Sequence, residues 1–346
     1  MDLRSLTLDE LKKDLAEHGE KAFRAGQIYD WVHKKGVGTT DEMTNLSVKL
    51  REDLKQWYEF GGFKIARVQE SKIDGTRKYL FELPDGNMIE SVFMRYHHGN
   101  SVCISSQVGC RMGCAFCAST IDGLVRNLTP GEMLGQIYEI QRDTGERVSN
   151  VVVMGSGEPL DNFDNIRKFV KMLTDENGLN ISQRNLTIST CGLVDRIREL
   201  AEDKLQITLA LSLHATTDEK RKQLMPIANR YTIGELMDAC EYYYNTTGRR
   251  ITFEYSLISG GNDSEEEAKQ LAALAGRIHA HVNLIPVNPI KERSFEPSKQ
   301  QQIRAFQNKL EKNGINVTIR REMGQDIDGA CGQLRRKVIH ETQDGE

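Results

Sequence analysis

The sequence predicts an α/β protein built on a full or partial (β/α) barrel, and three observations carry that expectation. Beyond about residue 100, short apolar runs alternate with amphipathic stretches, the pattern of parallel strands each followed by an outer helix. The amphipathic stretches open on helix-start signatures: Thr129-Pro130-Gly131-Glu132, then Thr232 with Glu235, Ser264 with Glu267, and Ser298 with Gln301. The alternation repeats six or seven times, which favours a barrel over an open doubly wound sheet.

Taken in order, residues 1–60 read as a small helical accessory domain. Leu8, Leu11 and Leu15 keep helical spacing, as does the segment from Gln27 to Val32, and Leu46, Leu50 and Leu54 recur every fourth residue. Residues 61–95 change to strand-like alternation interrupted at Asp74-Gly75 and at Pro84-Asp85-Gly86-Asn87, so they read as a β-hairpin or meander that links the module to the main domain. Residues 96–346 form that main domain, with strands expected at 102–105, 150–154, 185–189, 206–213, 251–258, 282–287 and 315–320.

Composition excludes several classes. The 346 residues are 38% hydrophobic and 28% charged, an ordinary globular balance. No apolar run approaches the roughly 18 residues of a membrane helix, and Met1-Asp2-Leu3-Arg4-Ser5 is not the start of a signal peptide. A cytoplasmic protein is expected. A net charge of −4 argues against nonspecific coating of nucleic acid, although Arg249-Arg250, Arg320-Arg321 and Arg335-Arg336-Lys337 leave room for a local basic face.

Cysteine placement is the strongest chemical signal. Four of the seven cysteines fall within fifteen residues, and Cys110, Cys114 and Cys117 are spaced C-x3-C-x2-C. In a reducing compartment such a cluster points to metal or catalysis rather than disulfides. The spacing suits three irons of one [4Fe–4S] cluster, leaving one iron open. The competing reading is a zinc site completed by His97 or His98 in a non-catalytic RNA-binding protein. Polar groups follow several expected strands: Gly155-Ser156-Gly157-Glu158, Ser189-Thr190, Ser212-Leu213-His214 and Asn288. In a (β/α) barrel those ends share one face, where ligands bind. Cys331, flanked by Ala330 and Gly332, reads equally as an accessible reactive thiol or as a small buried hydrophobe. Cys191 and Cys240 read as structural.

These residues bring a resemblance. The cysteine triad with Phe116 before its last member resembles the radical S-adenosylmethionine superfamily, and Gly157-Glu158 resembles its strand-end motif. The segments 102–110, 154–160, 212–214, 282–286 and 326–334 are similar to the RlmN/Cfr family of RNA adenosine methyltransferases, over nearly the whole chain. Pro159 and Arg320-Arg321-Glu322 look closer to the C2-methylating branch than to the C8-methylating one. The resemblance implies a partial (βα)6 TIM-type barrel. It implies a cluster on Cys110, Cys114 and Cys117, and S-adenosylmethionine held by Gly157, Glu158, Ser189, Ser212, Leu213, His214 and Asn288, two molecules being used per turnover. It makes Cys331 the methyl carrier, Cys103 the thiol that resolves the RNA adduct by pairing with it, and Glu90 the proton acceptor. The implied partners are 23S rRNA, tRNA and a flavodoxin- or ferredoxin-type electron donor, with the enzyme acting as a monomer. Ser156, Cys191 and Gly329 depart from the family pattern, where a larger apolar residue, serine or an aliphatic, and alanine are expected.

Overall fold

Three short helices open the chain: α1 (Leu8–Glu17), α2 (Ala22–Tyr29) and α3 (Val48–Trp57). The structure, a computed structural model, describes residues 1–287, 295–321, 323–327 and 332–343. The apolar spacing read from the sequence is the buried stripe: Leu11, Leu15, Ile28, Leu50 and Leu54 meet in a core of their own. Thr7 and Glu10 close a reciprocal cap at the start of α1.

The chain then runs through β1 (Lys64–Glu70), β2 (Arg77–Glu82), β3 (Met88–Tyr96) and β4 (Gly99–Ile104), each antiparallel to the one before. A hairpin of β5 (Gln107–Gly109) and β6 (Leu124–Asn127) follows. From there the order is α4 (Pro130–Thr144), β7 (Asn150–Val153), α5 (Phe163–Leu173), β8 (Leu186–Thr190), α6 (Val194–Glu202), β9 (Thr208–Ser212), α7 (Asp218–Leu224), α8 (Ile233–Thr247), β10 (Ile251–Leu257), α9 (Glu265–Arg277), β11 (His281–Pro286), α10 (Gln300–Lys312), β12 (Val317–Ile319) and α11 (Gln333–Gln343).

Ten strands form one sheet in the order β1-β2-β3-β4-β7-β8-β9-β10-β11-β12, and the seven from β4 onward are parallel. No ladder joins β12 back to β1 among the described residues, so the barrel is partial. The segment read as a linker is therefore the antiparallel wing of the same sheet. Side chains alternate across it. Val102, Ile104, Val151, Val153, Leu186 and Ile188 enter the main apolar core, while Cys103, Val152 and Thr187, aligned by register, take the opposite face. Glu90 lies on that same face, because it stands two residues from Val92, the partner of Cys103.

Three of the four expected capping boxes form, at Thr129, Thr232 and Ser264. The fourth does not. α10 starts at Gln300 with Lys299 before it, and the Ser298 hydroxyl donates to the Asp263 carboxylate at 2.7 Å. A carboxylate acceptor from an earlier part of the chain outcompetes a local cap for a buried hydroxyl.

Polar side chains in a tight seam fasten the helical module to the barrel. Arg4 pairs with Glu139 of α4 at 3.3 Å, both almost fully buried. His33 Nδ1 lies 2.7 Å from the Tyr138 hydroxyl, Tyr29 donates to Asp175, and the Ser5 hydroxyl accepts the Gly131 N–H. Glu139 has a second partner in Arg142, whereas Arg4 has no other carboxylate among the described residues. Glu139→Ala therefore strands a buried guanidinium and should destabilise by about 3–5 kcal/mol in chemical denaturation. Arg4→Met, which leaves Glu139 with Arg142, should cost clearly less.

Burial and the nearby Arg4 pull His33 down from 6.5 to about 3. Between those values the unfolded chain takes up a proton that the folded chain refuses, so stability is complete above about pH 6.5 and falls as pH drops toward 3. The slope from one such histidine is about 1.4 kcal/mol per pH unit. Unfolding free energies of the wild type and His33→Gln between pH 7 and 4 should show a shallower decline in the variant; parallel curves would remove His33 from the account.

Candidate active site at the carboxyl ends of the strands

The cysteine loop is the tip of the β5–β6 hairpin. Gln107 pairs with Asn127, Val108 with Arg126 and Gly109 with Leu124, so the loop between is closed at its base. Gly109 has φ +74°, and a Cβ there would fall 2.0 Å from the Gly123 carbonyl oxygen, so only glycine fits. The tip is held from below: the Cys110 N–H donates to Gly123, and the Ala115 N–H donates to the Leu224 carbonyl at the end of α7.

Around this tip the strand ends enclose a cavity of about 260 Å³. Its wall includes Cys110, Cys114, Cys117, Gly157, Glu158, Ser189, Ser212 and His214, which the sequence dispersed over about a hundred residues. Phe116 and Cys191 also border it. The Leu213 side chain is fully buried in the core, and its N–H donates to the Glu254 carbonyl. Asn288 and Cys331 lie outside the described residues.

Each wall residue is fixed by its neighbours. Gly157 has φ +109°, and a Cβ on it would sit 2.6 Å from that of Gln107. The close approach lets the Gln107 side-chain oxygen accept the Glu158 N–H at 2.8 Å, while its amide nitrogen donates to Asn127 and Asp161. The Glu158 carboxylate accepts the N–H groups of Leu160 and Cys191, at 3.0 and 2.7 Å. Burial raises its pKa against the pull of those donors. The Ser189 and Ser212 hydroxyls stand 3.4 Å apart on adjacent strands. His214 adopts φ +56°, and its Nδ1 accepts the Ser256 N–H, placing the ring proton on Nε2. Burial, with Arg221 nearby, lowers its pKa to about 3, so the ring is neutral, and Phe116 meets it edge-on.

The donor set fits an iron–sulfur cluster. Three thiols border one cavity, yet no three His, Cys, Asp or Glu side chains among the described residues converge on a single-ion position. A cubane spreads three thiolates over three irons. His97 and His98, offered by the zinc reading, lie in the turn that precedes β4, at the opposite end of that strand from the cavity. Burial pushes the Cys110 thiol up to about 12 and Cys114 higher still, with the neighbouring thiols adding to it; thiolates at this site require cationic company.

A second cluster of buried groups stands beside the site. Glu90 pairs with the fully buried Lys78 at 2.9 Å, and its two oxygens accept the N–H groups of Gly332 and Arg335, each at 2.6 Å. It thus caps α11 by acting as an anion at a helix N-terminus. Gly332 has φ +81° and lies so close to Ala118 that a Cβ would come within 2.9 Å of that side chain. The C-terminal segment is therefore clamped between β3 and the residues that follow Cys117. Cys103, on the Glu90 face of the sheet, is buried.

Several contributors were not legible in the sequence. Gln107, Gln136 and Arg221 carry no motif, though each organises backbone here: Gln136 of α4 bonds both the N–H and the carbonyl of Ser105. Ser156, a departure from the family pattern, bonds Ser119 at 3.0 Å and so ties the strand end to the cysteine loop. The arginine pairs do not converge. Arg249-Arg250 precede β10, Arg320-Arg321 follow β12 beside a second cavity, and Arg335 is buried at the cap.

Comparison with known proteins agrees with this geometry. Residues 104–272 match the Radical SAM superfamily, and residues 1–60 match the ribosomal RNA large subunit methyltransferase N-terminal domain. A probable dual-specificity RNA methyltransferase RlmN of Lachnospira eligens is 63% identical, over 100% of this chain and 99% of the relative. One from Lachnoclostridium phytofermentans is 58% identical, over 99% and 96%. The crystal structure of a radical SAM methyltransferase from Sphaerobacter thermophilus superposes with a TM-score of 0.93 at 43% identity, covering 96% of this chain and 98% of that one.

The crowding at Gly157 makes a direct prediction. Gly157→Ala forces a Cβ against Gln107 from a left-handed backbone, and should lower stability by about 1–3 kcal/mol. Urea unfolding followed by far-ultraviolet circular dichroism measures this; an unchanged midpoint would contradict the packing described.

Proposed function

Because the chain belongs to the RlmN family of radical S-adenosylmethionine RNA methyltransferases, we propose that it methylates C2 of adenosine in 23S rRNA and in the anticodon loop of tRNA. The observation that carries the reading is the single cavity where three thiols meet Gly157, Glu158, Ser189, Ser212 and His214, with the clamped C-terminal segment at its side.

Cys110, Cys114 and Cys117 would hold the [4Fe–4S] cluster, and Gly157, Glu158, Ser189, Ser212, Leu213, His214 and Asn288 the S-adenosylmethionine, two molecules serving each turnover. When bound, these groups supply the electron, the methyl group and the radical chemistry that an electron-poor aromatic carbon requires. The chain's own residues do the rest. The Glu158 carboxylate, already fixed by two N–H donors, presents acceptor capacity to an ammonium group. Ser189 and Ser212 offer hydroxyls, and neutral His214 offers its Nε2–H. The Cys331 sulfur carries the methyl carbon to the base. Glu90 takes the C2 proton, exchanging one of its present donors for it. The Cys103 thiolate then attacks the Cys331 sulfur and breaks its bond to the methylene carbon. That carbon leaves with the electron pair and takes up a proton to become the methyl group of the base, while the Cys103–Cys331 disulfide is left for a thiol reductant to reopen. A base displayed in a loop suits this chemistry, since the reacting carbon has to leave the stack. A flavodoxin- or ferredoxin-type protein would deliver the electron, and the enzyme would work as a cytoplasmic monomer.

Anaerobically reconstituted enzyme should convert unmodified rRNA and tRNA fragments to 2-methyladenosine, identified by mass spectrometry of the digested RNA. Product at C8 would overturn the assignment. Cys331→Ala should bind S-adenosylmethionine and give no methylated RNA; sustained turnover by that variant would sink the carrier role. Cys103→Ala should accumulate a protein–RNA adduct that persists on a denaturing gel, whereas release of free product would exclude Cys103 as the resolving thiol.

A further inference from the structure

A buried cation lies beneath the cysteine loop. In α7, seven residues long, Arg221 stands between Lys220 and Lys222 and is fully buried. Its Nη2 donates to the Cys191 and Ser212 carbonyls at 2.6 and 3.3 Å, and its Nε donates to the Leu213 carbonyl at 3.3 Å. One side chain thus ties the segment after β8 to the end of β9, where two cavity walls begin. Nη1 is buried with no hydrogen-bond partner among the described residues. No carboxylate among the described residues pairs with the guanidinium, and Asp218, one turn earlier, accepts the Ile233 N–H at its Oδ1.

The same helix supports the loop above. Leu224 accepts the Ala115 N–H at 2.8 Å, Pro226 packs under Gly113, and Met225 borders the cavity. Arg221 and Cys114 lie within electrostatic reach of each other, as do Arg221 and Cys191. Burial lowers the affinity of Arg221 for its proton, but guanidinium starts so high that it stays charged. A buried charge without a counter-ion is strongly unfavourable, and an anionic, thiolate-bound group above it would supply the missing partner.

We propose that Arg221 is a positioning residue for the cluster: its fork locks the ends of β8 and β9 under the cysteine loop, and its charge offsets the negative charge of the thiolate-bound cluster, favouring the reduced state. The inference rests on the assignment of Cys110, Cys114 and Cys117 as cluster ligands. Removing the charge should make reduction harder and keeping it should not.

The test is a redox titration of anaerobically reconstituted full-length protein, following the paramagnetic signal of the reduced cluster, with iron and sulfide analysis of each sample. Arg221→Gln should lower the equilibrium constant for one-electron reduction about tenfold or more, a shift of about 59 mV to more negative potential. Arg221→Lys should stay within about threefold of wild type. An iron-loaded Arg221→Gln protein with wild-type potential overturns the proposal, and so does an equal drop in the lysine variant. If Arg221→Gln and Arg221→Met both fail to fold while Arg221→Lys folds with wild-type potential, the charge requirement stands. A wild-type chain that takes up neither iron nor sulfide would instead overturn the cluster assignment.

Discussion

The closed base of the cysteine loop is the constraint on which the site depends. Where a loop of this length enters a cavity wall, the backbone groups it buries each need a partner. The β5–β6 pairing supplies some, and the Leu224 carbonyl of α7 supplies another. Glycine is obligatory at 109 because the second strand of the hairpin crosses directly over it. Once that base is closed, three thiols have one place to be.

Backbone groups carry much of the buried charge in the site, with Lys78 as a further partner for Glu90. Glu158, Glu90 and Arg221 sit where an isolated ion would be costly, and backbone dipoles hold each: amides for the carboxylates, carbonyls for the guanidinium. Such partners do not reorganise when a ligand arrives, so the cavity is preorganised. The same bonds carry mechanical consequences. Glu158 draws the segment after β8 onto the end of β7, Arg221 draws it onto the end of β9, and Glu90 draws α11 onto β3.

The amino-terminal module belongs to this rigid frame. Arg4, Tyr29 and His33 reach polar groups of the barrel, and two of these contacts are on α4, the helix whose Gln136 fixes Ser105 beside the cavity. The module is thereby held at a set distance from the cleft.

The sequence by itself determined the βα alternation, because parallel strands buried on both faces read as short apolar runs and helix starts carry their own caps. It picked out the cysteine loop, since C-x3-C-x2-C is local, and the strand-end residues, because their positions follow from the alternation. The β5–β6 hairpin was illegible: strands of three and four residues leave no period to read. Ser298 misled because a local cap lost to a distant carboxylate. Arg221, between Lys220 and Lys222, carries no local signal of its burial. Its burial, the double hydrogen bonding of Glu90 and the meeting of Gly332 with Ala118 are contacts between residues far apart in the chain. Only tertiary structure decides those, because whether a polar side chain faces water or a ring of carbonyls depends on what the rest of the fold places above it.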